Sequence, residues 1–220
     1  AEAGASALDV VDQEVVVPTP DGKADCYFVH PAKGRHPGVI LWPDAFGLRP
    51  TMRKMGKRLA SSGYAVLVVK PYYRKIKAPF LPEGASFQDP ETRDKIMAMM
   101  ASLSPATHMA DAKTFVDWLD AQSSVDRDRG IGTMGYCMGG PITLRTAASR
   151  PDRIGAAASF HGGGLVTPKD DSPHKLIPQM KAGFLIAIAS NDDEQEPHAK
   201  DVLRDAFGKA GLSAEIEVYQ

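Results

Sequence analysis

The runs GVILW at 38–42 and AVLVV at 65–69 constrain the fold more than any other feature of the chain. An uninterrupted apolar run of strand length has no polar face to give to water. It belongs in the middle of a parallel sheet covered on both sides. Between the two runs Met52, Met55, Leu59 and Ala60 recur at helical spacing, the core-facing stripe of a crossover helix. Strand, helix, strand is the parallel unit, and the chain repeats it. GIGTM at 130–134, GAAASF at 155–160, FLIAI at 184–188 and AEIEVY at 214–219 read as further strands. Helices are expected near 91–102, from Ser104 as N-cap with Pro105 in the first turn, after GYCMGG, and from about 197 to 210 with Gly211 ending it. The opening is different: EVVVPTPDG followed by ADCYFVH reads as two antiparallel strands joined by a Pro/Asp/Gly turn. Residues 74–90 carry Pro79, Pro82, Gly84 and Pro90 and read as one long loop.

With 220 residues, no repeat and no linker, one domain is expected, with residues 1–9 as a flexible tail. The net charge of −1 comes with acids and bases interspersed, which argues against a nucleic-acid partner. No apolar stretch approaches a membrane span, and no signal-peptide pattern opens the chain, so a cytoplasmic protein is expected. The two cysteines, Cys26 and Cys137, have no metal-ligand spacing.

Chemistry concentrates in GTMGYCMGG at 132–140. Gly135 and Gly139 flank Cys137 two residues away on either side. A nucleophile presented on a tight strand-to-helix turn needs that frame, because side chains at the flanking positions would collide. A helix N-terminus after the cysteine favours a thiolate. The competing reading is a small buried cysteine among glycines. An oxyanion hole in this architecture takes one N–H from the residue after the nucleophile, Met138, and one from the loop WPDAFGLRP at 42–50. Pro43 has no N–H to give, so Ala45 is the candidate there.

The segments VPTPDGKADCYFVHP, HPGVILWPDAFGL, RLASSGYAVLVV, GYCMGG and ASNDD together resemble the dienelactone hydrolase family of α/β-hydrolases, over nearly the whole chain. The resemblance implies an α/β-hydrolase fold: a mainly parallel sheet, helices on both faces and antiparallel N-terminal strands. It implies a cysteine hydrolase of small esters or lactones, acting through an acyl-enzyme and needing neither cofactor nor metal. Cys137 falls at the nucleophile position and Asp192 at the acid position, with Asp193 as its rival. Ala45 and Met138 match the oxyanion donors. Asp44 stands where the family keeps a glutamate that helps activate the thiol. Arg93 is a candidate partner for a substrate carboxylate, and His161 a candidate lining residue. The family's histidine is expected a few residues after the last strand, followed by a final helix. Gln220 comes directly after that strand, so both are expected outside these 220 residues. The alternatives are a non-catalytic hydrolase-like binding protein and a redox-sensing thiol protein.

Overall fold

The computed structural model describes residues 6–220, and of the expected tail, residues 1–5 lie outside that range. The rest of the tail is tied down: Leu8 N–H donates to Ser61 and the Asp9 carbonyl accepts from Ala32. The chain begins with the hairpin β1 (Val10–Thr19) and β2 (Gly22–Pro31), paired antiparallel through a turn at Pro20 and Asp21. Gly22, at φ 144°, holds a backbone angle that side chains resist. The two apolar runs form β3 (Gly38–Trp42) and β4 (Ala65–Val68), buried at every residue and paired in parallel. The later strands are β5 (Ile131–Tyr136), β6 (Ile154–Phe160), β7 (Gly183–Ala189) and β8 (Ala214–Tyr219).

The eight strands of the described residues make one sheet in the order β1-β2-β4-β3-β5-β6-β7-β8, parallel from β4 to β8. The two consecutive apolar runs thus sit side by side, with β5 on the other flank of β3. Helix α1 (Pro50–Ser61) covers one face, packing Met52 and Ala60 against Val29, Leu41, Val66 and Val68. After α2 (Pro90–Ala101), the other face takes α3 (Pro105–Asp120), α4 (Gly139–Ser149) and α6 (Ala199–Lys209), around Phe115, Leu119, Ile142, Leu144, Leu203 and Phe207. Ser104 caps α3 in a reciprocal box with Thr107, and Pro105 opens the helix.

One helix is not among those expected from the sequence. ASNDDEQEP contains the short α5 (Ser190–Gln195) directly after β7. Asp192 and Asp193 fall in its first turn, where negative charge suits the helix dipole. The helix expected from 197 starts at Ala199 and runs to Lys209, and Gly211 follows at φ 68°.

Candidate active site

The site forms where the parallel strands end. β5 delivers Cys137 onto a left-handed backbone position, φ 53°, before α4 turns away. Few side chains adopt that angle without a structural reason. Cys137 N–H donates to the Phe160 carbonyl at 2.9 Å, and its own carbonyl accepts from Gly140 N–H at 3.0 Å. The flanking glycines are obligatory. A Cβ on Gly135 would run into the Gly139 carbonyl. One on Gly139 would lie 2.6 Å from the Trp42 oxygen and 2.8 Å from that of Pro43. The turn is therefore wedged between its own helix and the end of β3, and only bare backbone fits.

β3 brings the second wall. Asp44, Ala45 and Phe46 follow Trp42 in a tight turn: Gly47 N–H donates to the Asp44 carbonyl at 3.0 Å, and Phe46 N–H to Asp44 Oδ1 at 3.1 Å. The N–H groups of Met138 and Ala45 lie close enough to the Cys137 thiol to favour its ionised form. Burial is the main influence on that thiol and pushes it above its ordinary value. Asp44 and Asp192 push it the same way, and the two N–H groups pull it down.

Asp44 does not hydrogen-bond the thiol. Its carboxylate is held by Arg49, Nη1 to Oδ1 at 2.6 Å and Nη2 to Oδ2 at 2.9 Å. The methylene missing relative to glutamate leaves it turned to its own loop. Asp193 is likewise taken, by Lys200 Nζ at 2.7 Å. Asp192 faces the other way. His161 Nδ1 lies 2.5 Å from its Oδ2. That contact lacks hydrogen-bond alignment, and the buried oxygen has no donor. His161 follows β6 at φ 54°, a second left-handed residue one strand away from Cys137. The geometry thus gathers Cys137, Met138, Ala45, Asp44, Asp192 and His161. Arg93 is not joined to them: it is exposed in the first turn of α2.

Two residues that the sequence reading passed over belong to this neighbourhood. Arg49 closes on Asp44, and Tyr72 is buried behind Ala45 with its hydroxyl 2.9 Å from the Ala45 carbonyl. Neither announces itself. An Arg five residues after an Asp and a Tyr after a strand are ordinary loop composition. Beside them a cavity of about 340 Å³ opens between Phe46, Arg49, Phe80 and Leu81.

The sequence model of the dienelactone hydrolase family matches residues 24–220. The chain belongs to the dienelactone hydrolase family. Among curated relatives, a Synechocystis protein described as "Putative carboxymethylenebutenolidase" is 28% identical over 195 residues, 87% of this chain and 76% of the relative. The carboxymethylenebutenolidase of Pseudomonas putida is 22% identical, covering 81% of this chain and 70% of that protein. A Klebsiella pneumoniae structure titled "Putative Dienelactone Hydrolase" superposes with a TM-score of 0.78 at 24% identity, over 96% of this chain and 86% of its own. Membership of the dienelactone hydrolase family makes the protein a hydrolase. No helix among the described residues is long and apolar enough to cross a membrane.

Proposed function

We propose that the protein hydrolyses small esters or lactones through a Cys137 thioester. The observation that supports this most is Cys137 held at φ 53° on an elbow whose flanking glycines admit no side chain, with the Ala45 and Met138 N–H groups beside it as oxyanion donors. A carbonyl oxygen carried by an attacked carbon would take its place between the same donors. The histidine takes the Cys137 thiol proton, the thiolate attacks the carbonyl carbon, a C–S bond forms, and the carbonyl π pair moves onto oxygen. Collapse expels the alkoxide, which leaves with a proton from the histidinium. Water, deprotonated by the histidine, then cleaves the thioester and returns the thiolate.

Asp192 is the acid that orients this histidine and balances its charge. The family pattern puts the base after β8. The contact with Asp192 favours His161 as a second reading. His161→Gln separates them: a loss of roughly 10³-fold or more assigns the base to His161, and a change of only several-fold places it elsewhere. Asp44 acts on the thiol through its charge and on the loop through Arg49. The guanidinium on the cavity wall, Arg49, is better placed than Arg93 to meet a substrate carboxylate of the kind dienelactones carry.

A redox-sensing role needs an exposed thiol of lowered pKa. Cys137 is shifted the other way, and Cys26, fully buried on β2, is shifted further in the same direction. The test of the hydrolase reading is turnover of p-nitrophenyl acetate and of a dienelactone by Cys137→Ala. A fall of about 10⁴-fold or more is expected. Unchanged turnover would sink the nucleophile.

A further inference from the structure

The oxyanion donors lie on two segments far apart in sequence, the β3–α1 loop and the β5–α4 elbow. Their relative position has to be fixed to a fraction of an ångström for both N–H groups to meet one atom. Local bonds fix each segment separately. The peptide carrying Ala45 N–H is held by Gly47 at the Asp44 carbonyl, and the elbow by Phe160 and Gly140. One side chain touches both. Tyr72, 1% exposed after β4, donates its hydroxyl proton to the Ala45 carbonyl at 2.9 Å, and the same oxygen lies 3.1 Å from Met138 Sδ.

We infer that Tyr72 is a positioning residue that sets the oxyanion hole by tying its two donor residues to one hydroxyl. This rests on the proposed role of Ala45 and Met138 as oxyanion donors. The hydroxyl is suited to the task. It has one proton, and the carbonyl is the stronger acceptor, so the sulfur contact is close packing. Burial, with the Asp44 and Cys137 charges nearby, pushes the phenol upward, so it remains a donor wherever the enzyme works. Its ring is braced edge-on by Phe80, centroids 5.3 Å apart, so the tie is not a swinging arm. Tyr72 does not reach substrate: the Ala45 backbone and the Met138 side chain stand at its hydroxyl. Its effect therefore passes through the donors, which distinguishes it from a catalytic residue.

The test is Tyr72→Phe, which keeps the ring and removes the tie, read by two reactions of the same sulfur. Acylation by p-nitrophenyl acetate, followed as the pre-steady-state release of p-nitrophenol, builds an oxyanion. Alkylation of Cys137 by iodoacetamide builds none. The expected result is an acylation rate about tenfold lower, less than the loss of a whole donor, beside an alkylation rate changed by no more than about twofold. Equal losses in both reactions would show a general disturbance of the elbow and overturn the inference, as would no loss in either. Cys137→Ala, run in parallel, keeps the two levels apart. If it abolishes acylation while Tyr72→Phe has no effect, the positioning role alone fails. If it retains full acylation, the hydrolase reading fails and this inference with it.

Discussion

The elbow at Cys137 and the acid corner at Asp192 both stand at the C-terminal ends of strands in one parallel sheet, β5 and β7. They are made of different material. At the elbow the features around the sulfur are backbone: two tight glycines and one left-handed residue. At the acid corner everything is side chain. A half-exposed His161 leans on Asp192 without a formed hydrogen bond, and the carboxylate oxygen stays unpaired. Backbone chemistry is fixed by the turn that makes it. Side-chain chemistry waits for its partner, so the corner can be rebuilt by a rotamer change and the elbow cannot.

Substitution at the corner sharpens this contrast most. Asp192→Asn keeps the shape and removes the charge that holds a histidinium, so turnover is expected to fall about 10⁴-fold. The elbow should be untouched, and iodoacetamide should still alkylate Cys137. Because the Asp192 charge raises the thiol, the alkylation midpoint should move to lower pH in this variant. A loss of alkylation at saturating pH would mean that the two regions are one structural unit.

The opposite lesion is Gly135→Ala. Its methyl has no place except into the Gly139 carbonyl, with Thr143 Cγ2 only 3.0 Å away. Either the helix start moves or the strand does. A destabilisation of about 1–3 kcal/mol is expected by chemical denaturation. Displacement of the donors should cost roughly 100-fold in turnover. Gly163 is the control, since a Cβ there meets nothing within 4 Å. Equal effects of the two substitutions would remove the claim that bare backbone at the elbow is what matters.

This difference in material also explains what could be read from the sequence. The elbow was legible because its glycine frame and its strand-turn-helix context lie within nine residues. The apolar runs gave β3 and β4 because a strand buried on both faces leaves no other composition. The Asp44–Arg49 pair, the Tyr72 tie and the His161–Asp192 contact were not legible. The last two depend on which strands end side by side, and sheet order is not written in any local pattern. The short helix α5 was missed because Ser, Asn and Asp read as loop residues, yet the same acids suit a first helical turn. Nor does any local pattern announce that Lys200, on α6, holds Asp193.

A smaller effect comes from behind the elbow. His108 on α3 lies 3.4 Å from Arg145 on α4, the helix that carries the elbow. Burial, then the Arg145 and Arg74 charges, push the His108 imidazole down to about 3 from 6.5. A histidine that is harder to protonate folded than unfolded contributes stability above the unfolded pKa. It loses that stability as pH falls from 6.5 toward about 3. Within that window one proton changes the slope by at most about 1.4 kcal/mol per pH unit. Denaturation of wild type and His108→Leu across the window should show the steeper acid loss in wild type. Parallel curves would mean that the pair is open to water and that the elbow's helix is not sensitive to it.

The finest test asks whether the elbow thiol is really independent of side chains. Asp44 raises the thiol through its charge, although the carboxylate is clasped by Arg49. Asp44→Asn removes a negative charge and leaves the Arg49 guanidinium without its partner. Both changes favour a thiolate. The midpoint of Cys137 alkylation against pH is therefore expected to fall, while the limiting rate at high pH stays the same. An unchanged midpoint would mean that Arg49 already cancels the Asp44 charge at the sulfur. Asp44 would then serve the loop alone. A rise would require the donor at Ala45 to have moved, because Asp44 Oδ1 accepts from Phe46 N–H in the same turn. That outcome would make even the backbone half of the site depend on a carboxylate, and the elbow would differ from the acid corner in degree only.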